Sequence, residues 1–137
     1  MLAGIVAGAE DDWWLIGSTA VALHGADVPK TSDVDLLMSP RDADQVLRRV
    51  GGRPRERKPS TQFRSDVFGT WYDPPLPIEV MGGFSLMTVD GWRPVLLTTR
   101  ERRTVEGRDF YVPSVGELKE LLRSFGRPKD IERALLL

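Results

Sequence analysis

The sequence predicts a mixed α/β fold, a mixed β-sheet flanked by helices. Three observations carry this. Short apolar runs rich in Leu, Ile and Val are bounded by glycine or proline, as buried strands are. Other segments place apolar residues at i, i+3, i+4 and i+7, three of them opened by a serine. The 137-residue chain is 41% hydrophobic and 28% charged, an ordinary globular balance that can bury one core.

In chain order, residues 13–16 are a short apolar run ending at Gly17 and read as a buried strand. Ser18 is expected to cap a short, nearly all-apolar helix that closes near Gly25. Residues 33–38 read as a second strand. Ser39, Pro40 and Asp42 form a helix start, with cap, proline at the first helical position and an acid at the third. Ala43, Val46, Leu47 and Val50 supply its apolar face, and Gly51-Gly52 its stop. Residues 62–72 and 76–81 read as strands, separated by Asp73-Pro74-Pro75. Residues 94–98, 103–106 and 109–112 are expected as short strands, the last two joined at Glu106-Gly107-Arg108. Ser114 and Glu117 have the spacing of a reciprocal capping box. Leu118, Leu121, Leu122 and Phe125 face inward, and Gly126 ends that helix. A last helix restarts at Pro128, with Asp130 as its N-terminal acid and Ile131, Ala134 and Leu135 on its inner side. The total is about five to seven strands and four or five helices, read as one domain over residues 1–137.

Composition excludes several classes. No apolar run is long enough to span a bilayer. Residues 1–9 lack a basic start and run into Glu10, Asp11 and Asp12, unlike a secretory signal. Cysteine is absent, which excludes disulfides and thiolate metal sites and permits a reducing, cytoplasmic location. With 19 basic and 20 acidic residues, composition gives no global pull towards nucleic acid or anionic membrane.

The chemistry is expected on Asp33, Asp35 and Glu79. Alternate strand residues share a face, so Asp33 and Asp35 project together, with Cα atoms roughly 6.5–7 Å apart. Val34 and Leu36 then point into the core. Glu79 lies between Ile78 and Val80 and must also face away from the core. If the two strands are neighbours, three carboxylates converge. Their mutual repulsion calls for a divalent cation, and hard oxygen donors suit Mg²⁺ or Mn²⁺. Upstream, Gly17-Ser18 marks a strand-to-helix turn of the kind that suits phosphate.

Leu15-Ile16-Gly17-Ser18, then Thr31-Ser32-Asp33-Val34-Asp35-Leu36-Leu37, then Pro77-Ile78-Glu79-Val80 resembles the nucleotidyltransferase superfamily of the DNA polymerase β type. Residues 117–123 and 126–130 are similar to the C-terminal helices of its small bacterial members, namely the minimal nucleotidyltransferases, the AbiEii-type toxins and the lincosamide adenylyltransferases. The resemblance implies transfer of a nucleoside monophosphate from an NTP, here ATP, to a hydroxyl, with release of pyrophosphate. It implies Asp33, Asp35 and Glu79 as both metal ligands and catalytic residues, Glu79 also assisting deprotonation of the acceptor. It implies Gly17 and Ser18 at the β and γ phosphates, and Arg123, Arg127 and Lys129 within reach of the nucleotide. The chain departs from the pattern twice. The third acid is Glu79, where many members have Asp. Pro29 stands where many have an arginine, and Lys30 is its candidate substitute.

Other residues have plainer readings. His24 is expected to be structural, and Trp13-Trp14 to pack in the core and at its edge. Arg48, Arg49, Arg53, Arg55, Arg57, Lys58 and Arg64 against Glu56 give a local excess of six positive charges. That stretch, read as a loop, is either a solvated surface or an electrostatic funnel. Three functions compete: the nucleotidyltransferase; a non-catalytic module of the same fold, acting as an antitoxin or regulatory subunit beside a helical partner; and a polyanion binder working through residues 48–64. The acceptor stays open between a small molecule, a tRNA end and a protein. Little chain is left for an acceptor pocket, which favours a partner protein, a homodimer or a small acceptor.

Overall fold

A computed structural model describes residues 2–29, 31–51 and 60–137 together with the backbone of residues 53–54. Five helices are described: α1 (Leu2–Val6), α2 (Gly17–Leu23), α3 (Pro40–Arg49), α4 (Val115–Phe125) and α5 (Pro128–Leu136). The strands are β1 (Trp14–Ile16), β2 (Val34–Met38), β3 (Arg53–Pro54), β4 (Phe63–Arg64), β5 (Val67–Trp71), β6 (Ile78–Gly82), β7 (Ser85–Thr88), β8 (Gly91–Pro94), β9 (Glu101–Val105) and β10 (Arg108–Val112).

The main sheet has the order β1-β2-β6-β5-β3. Its pairings are antiparallel except β2 with β6, which run parallel and place Asp35 beside Glu79. The sheet is therefore mixed, as expected. β4, β7 and β8 form a small antiparallel sheet, and β9 with β10 a hairpin. Glu106 (φ 52°) and Gly107 (φ 76°) make its tight turn, where two consecutive left-handed residues match the strand twist.

The period-2 alternation sorts β1, β2 and β6 into two faces. Leu15, Leu36, Ile78 and Val80 enter the larger apolar cluster, with Val21, Val46, Leu47, Leu118 and Leu122 from the helices. Ile16, Leu37 and Met81 face the other way, towards Phe63, Phe84, Leu86, Leu121 and Phe125. Helix α4 serves both clusters, because its apolar stripe is wide enough to meet each.

The local signals for α3 hold. Ser39 Oγ accepts from the Asp42 amide, with proline at the first position. Asp42, 1% exposed, also accepts from the Glu10 and Asp11 amides at 3.1 and 2.8 Å, tying the N-terminal segment to the helix. The Trp13 and Tyr111 rings meet edge to face, and Trp14 Nε1 donates to the Thr99 carbonyl. His24 is structural: Nε2 lies 2.7 Å from the Pro113 carbonyl oxygen and Nδ1 3.1 Å from Arg103 Nη2.

Several expectations are corrected. Ser18 does not cap α2; Ile16 holds the cap position without a side-chain bond, and Ser18 lies buried inside the first turn. Residues 62–72 divide at Ser65-Asp66 into β4 and β5, which join different sheets. Residues 95–98 form no strand, because the Thr98 and Thr99 amides bond the Glu117 carboxylate instead of a ladder. Glu117 is thus drawn away from Ser114, whose amide donates to Thr99 Oγ1, so the capping box is one-sided. The β7–β8 hairpin was not expected, although Asp90-Gly91 is a recognised hairpin signal. Helix α5 turns Ala134 and Asp130 inward and leaves Ile131 and Leu135 exposed. Of the basic stretch, Arg53-Pro54 is an edge strand and Arg64 packs over the Trp92 ring at 4.7 Å. Arg55, Arg57, Lys58 and Lys30 lie outside the described residues.

Candidate active site

The parallel register of β2 and β6 sets one row of side chains across the sheet. Ile16 stands opposite Asp35, Asp35 beside Glu79, and Glu79 opposite Thr70. Asp33 is two residues before Asp35, on the same face. These acids lie at the end of the face whose continuation, through Leu37 and Met81, is the second apolar cluster. Carboxylate oxygens of Asp33, Asp35 and Glu79 all come within 4.8 Å of one another. All three residues are partly buried.

Three acids so close cannot all carry full charge at low cost. Burial pushes the Asp35 carboxyl up, from 3.8 to about 8, and the charges of Asp33 and Glu79 add to the effect. A hydrogen bond with Glu79 works in the same direction, and only the Arg133 charge opposes it. The donor set fits a hard divalent cation: oxygen ligands, clustered, with excess negative charge for it to offset.

Gly17 explains part of this packing. Its φ is +67°, and a Cβ there would fall 2.6 Å from Asp35 Oδ2. Only glycine admits both the backbone angle and the close approach of the carboxylate. Gly17→Ala is expected to lower stability by about 1–2 kcal/mol in a urea titration. A variant within about 0.5 kcal/mol of wild type would show that the turn relaxes freely.

The acids line a cavity of about 200 Å³, whose wall also includes Phe63, Phe84 and Phe125 and the cations Arg127, Lys129 and Arg133. The sheet and the residue before β2 supply the negative charge, and the start and last turn of α5 supply the positive. Among the residues expected from the sequence, Asp33, Asp35, Glu79, Arg127 and Lys129 meet here. Ser18 and the exposed Arg123 are not in the cavity wall. Arg133 was missed: on a terminal helix its i+3 spacing from Asp130 resembles any surface ion pair.

No family model matches the chain, and no curated protein matches it in sequence. Solved structures do match. TM1012, a candidate nucleotidyltransferase from Thermotoga maritima, is 23% identical, with a TM-score of 0.79 over 96% of this chain and 84% of its own. The solution structure of the antibiotic-resistance factor ANT(2'')-Ia is 15% identical, with a TM-score of 0.62 over 98% of this chain and 79% of that one. The crystal structure of ANT(2'')-Ia in complex with adenylyl-2''-tobramycin is 14% identical, with a TM-score of 0.60 over 97% and 81%. The mixed sheet, its flanking helices and their connectivity are thus those of known structures, and the chain has the nucleotidyltransferase fold.

Proposed function

We propose that the protein is a metal-dependent nucleotidyltransferase that moves a nucleoside monophosphate from an NTP, here ATP, to a hydroxyl acceptor. The observation that carries this reading is the convergence of Asp33, Asp35 and Glu79, oxygens within 4.8 Å, in a cavity that also presents basic side chains. The fold shared with ANT(2'')-Ia, whose complex contains an adenylylated aminoglycoside, supports the same class of reaction.

Asp33, Asp35 and Glu79 would hold Mg²⁺ or Mn²⁺. Bound there, the metal would supply stabilisation of charge on the attacking and leaving oxygens of an in-line displacement. The acceptor oxygen forms its bond to the α-phosphorus as the bond from that phosphorus to the pyrophosphate oxygen breaks. The acceptor proton passes to a carboxylate oxygen of Glu79, and pyrophosphate leaves. Gly17, at the turn beside Asp35, is assigned to the phosphates through its backbone amide, and Lys129 from the cavity wall; Ser18, buried and outside that wall, has no assigned part. Arg123, exposed and outside that wall, has no assigned part.

Calorimetric titration with ATP tests the reading. Binding is expected in Mg²⁺ or Mn²⁺ and absent in EDTA. Equal affinity in wild type and Asp35→Asn, or no binding by either, overturns it.

A further inference from the structure

Glu79 has the least fixed carboxylate of the three acids. Its side chain has one more rotatable bond than those of Asp33 and Asp35, and each free bond costs entropy to hold still. It shares a hydrogen bond with Asp35. An ion held by the three acids would draw both carboxylates to itself, and Glu79 would lose that partner. A carboxylate that serves an ion with one oxygen and an acceptor with the other needs a further donor to orient it.

Strand β5 supplies one. Thr70 stands directly opposite Glu79 in the antiparallel pairing of β5 with β6. The same register sorts the rest of β5. Gly69 and Trp71 stand opposite Val80 and Ile78 of the larger apolar cluster, while Phe68 stands opposite Met81 and packs on the second cluster. Thr70 therefore shares the face of the acids. Directly opposite residues hold their Cβ atoms about 4.5–5.5 Å apart, a gap that a glutamate carboxylate and a threonine hydroxyl can close between them.

The hydroxyl is also out of place without such a role. Thr70 is 8% exposed, and buried hydroxyl groups are nearly always hydrogen-bonded. Among the described residues its Oγ1 has no partner. Nor is that atom shut off from solvent, as Thr19 Oγ1 and Ser65 Oγ are. A buried residue thus keeps one polar atom open on the face of the acids. Valine would fill the same β-branched shape on a strand without an unpartnered hydroxyl. Thr70 lies outside the cavity wall, so any part it plays there passes through Glu79.

We propose that Thr70 is a positioning residue for Glu79. Its hydroxyl donates to one carboxylate oxygen and holds the side chain in the rotamer that serves the ion and the acceptor. The inference rests on the transferase reading and adds to it a residue that does not touch substrate.

The test uses the full chain, with Mn²⁺ alone as the probe, followed by the electron paramagnetic resonance signal of the free ion. Thr70→Val keeps the shape and removes the hydroxyl, and is expected to weaken Mn²⁺ about tenfold. Thr70→Ser keeps the hydroxyl and should stay within about threefold of wild type. Metal-free Thr70→Val should melt at or above the wild-type temperature, because a methyl replaces an unpartnered hydroxyl. A merely structural Thr70 would give the reverse, a lower melting temperature and unchanged Mn²⁺ affinity of the folded protein. Thr70→Ala is the second hydroxyl-free variant, and failure of both to fold would likewise assign the residue to structure. Thr70→Val with wild-type Mn²⁺ affinity, or Thr70→Ser as weak as Thr70→Val, overturns the inference alone. Wild-type protein that binds no Mn²⁺ overturns the transferase reading, and the inference with it.

Discussion

Asp35→Asn is expected to abolish nucleotidyl transfer and, in the metal-free protein, to raise stability. The two effects have one cause. Asp35 shares a patch with Asp33 and Glu79, their oxygens within 4.8 Å. Removing its charge removes one of the three proposed metal ligands, with an expected loss of about a thousandfold or more in rate. The same change relieves burial and repulsion, and should stabilise the metal-free fold by about 1–2 kcal/mol at pH 8. The pH dependence follows from the raised pKa of about 8. Between the ordinary value of 3.8 and about 8 the folded protein holds a proton that the unfolded chain has lost. Stability of the metal-free protein therefore falls as pH rises through that window. Mg²⁺ should restore it in wild type and not in Asp35→Asn. Melting curves from pH 5 to 9, with Mg²⁺ or with EDTA, measure all of this. A wild type whose stability is flat across the range and indifferent to Mg²⁺ would remove the metal site.

Glu117→Ala carries the second large effect, on stability. The carboxylate accepts from the Thr98 amide and hydroxyl at 2.8 and 3.0 Å, and from those of Thr99 at 2.9 and 2.5 Å. It thereby pins the segment between β8 and β9 to the start of α4. Truncation to alanine leaves these donors to water or to nothing, and should cost about 2–3 kcal/mol. Partial burial disfavours the charged form, but the bonds from Thr99 and Thr98 outweigh it and hold the carboxyl below its usual 4.5. A lowered folded pKa means stability that is present above 4.5 and lost as pH falls through the folded value. Wild type should therefore lose more stability between pH 5 and 3 than Glu117→Ala does. Urea titrations at the two pH values settle it; parallel losses in both proteins would deny Glu117 this part.

Residues that act within one turn or one strand were legible. Ser39, Pro40 and Asp42 start α3 as their spacing predicts, and Gly126 (φ 70°) ends α4. Such signals need only neighbours a few positions away, so chain order contains them. The face of Asp33, Asp35 and Glu79 was legible for the same reason: apolar residues between and beside the acids must point inward. Helix α5 was misread. Its apolar residues suggest an inner face through Ile131, Ala134 and Leu135, yet only Ala134 of these is buried, and Asp130 is buried beside it, with Arg127 and Arg133 standing over the carboxylate. A hydrophobic pattern cannot anticipate a buried charge whose compensation comes from packing against other elements.

The sequence by itself determined the order of β1, α2, β2, α3, β6, α4 and α5, the caps that start α3 and α4, and which three carboxylates could act together. Only the tertiary structure decided that they do meet. The parallel pairing of β2 with β6, in the register that sets Asp35 beside Glu79, joins segments more than forty residues apart. Nothing local specifies that pairing. It follows from burying Leu36, Ile78 and Val80 together, since a slip of one residue in either strand would turn its acid, Asp35 or Glu79, into that apolar cluster. The hydrophobic core selects the register, and the register assembles the acidic site.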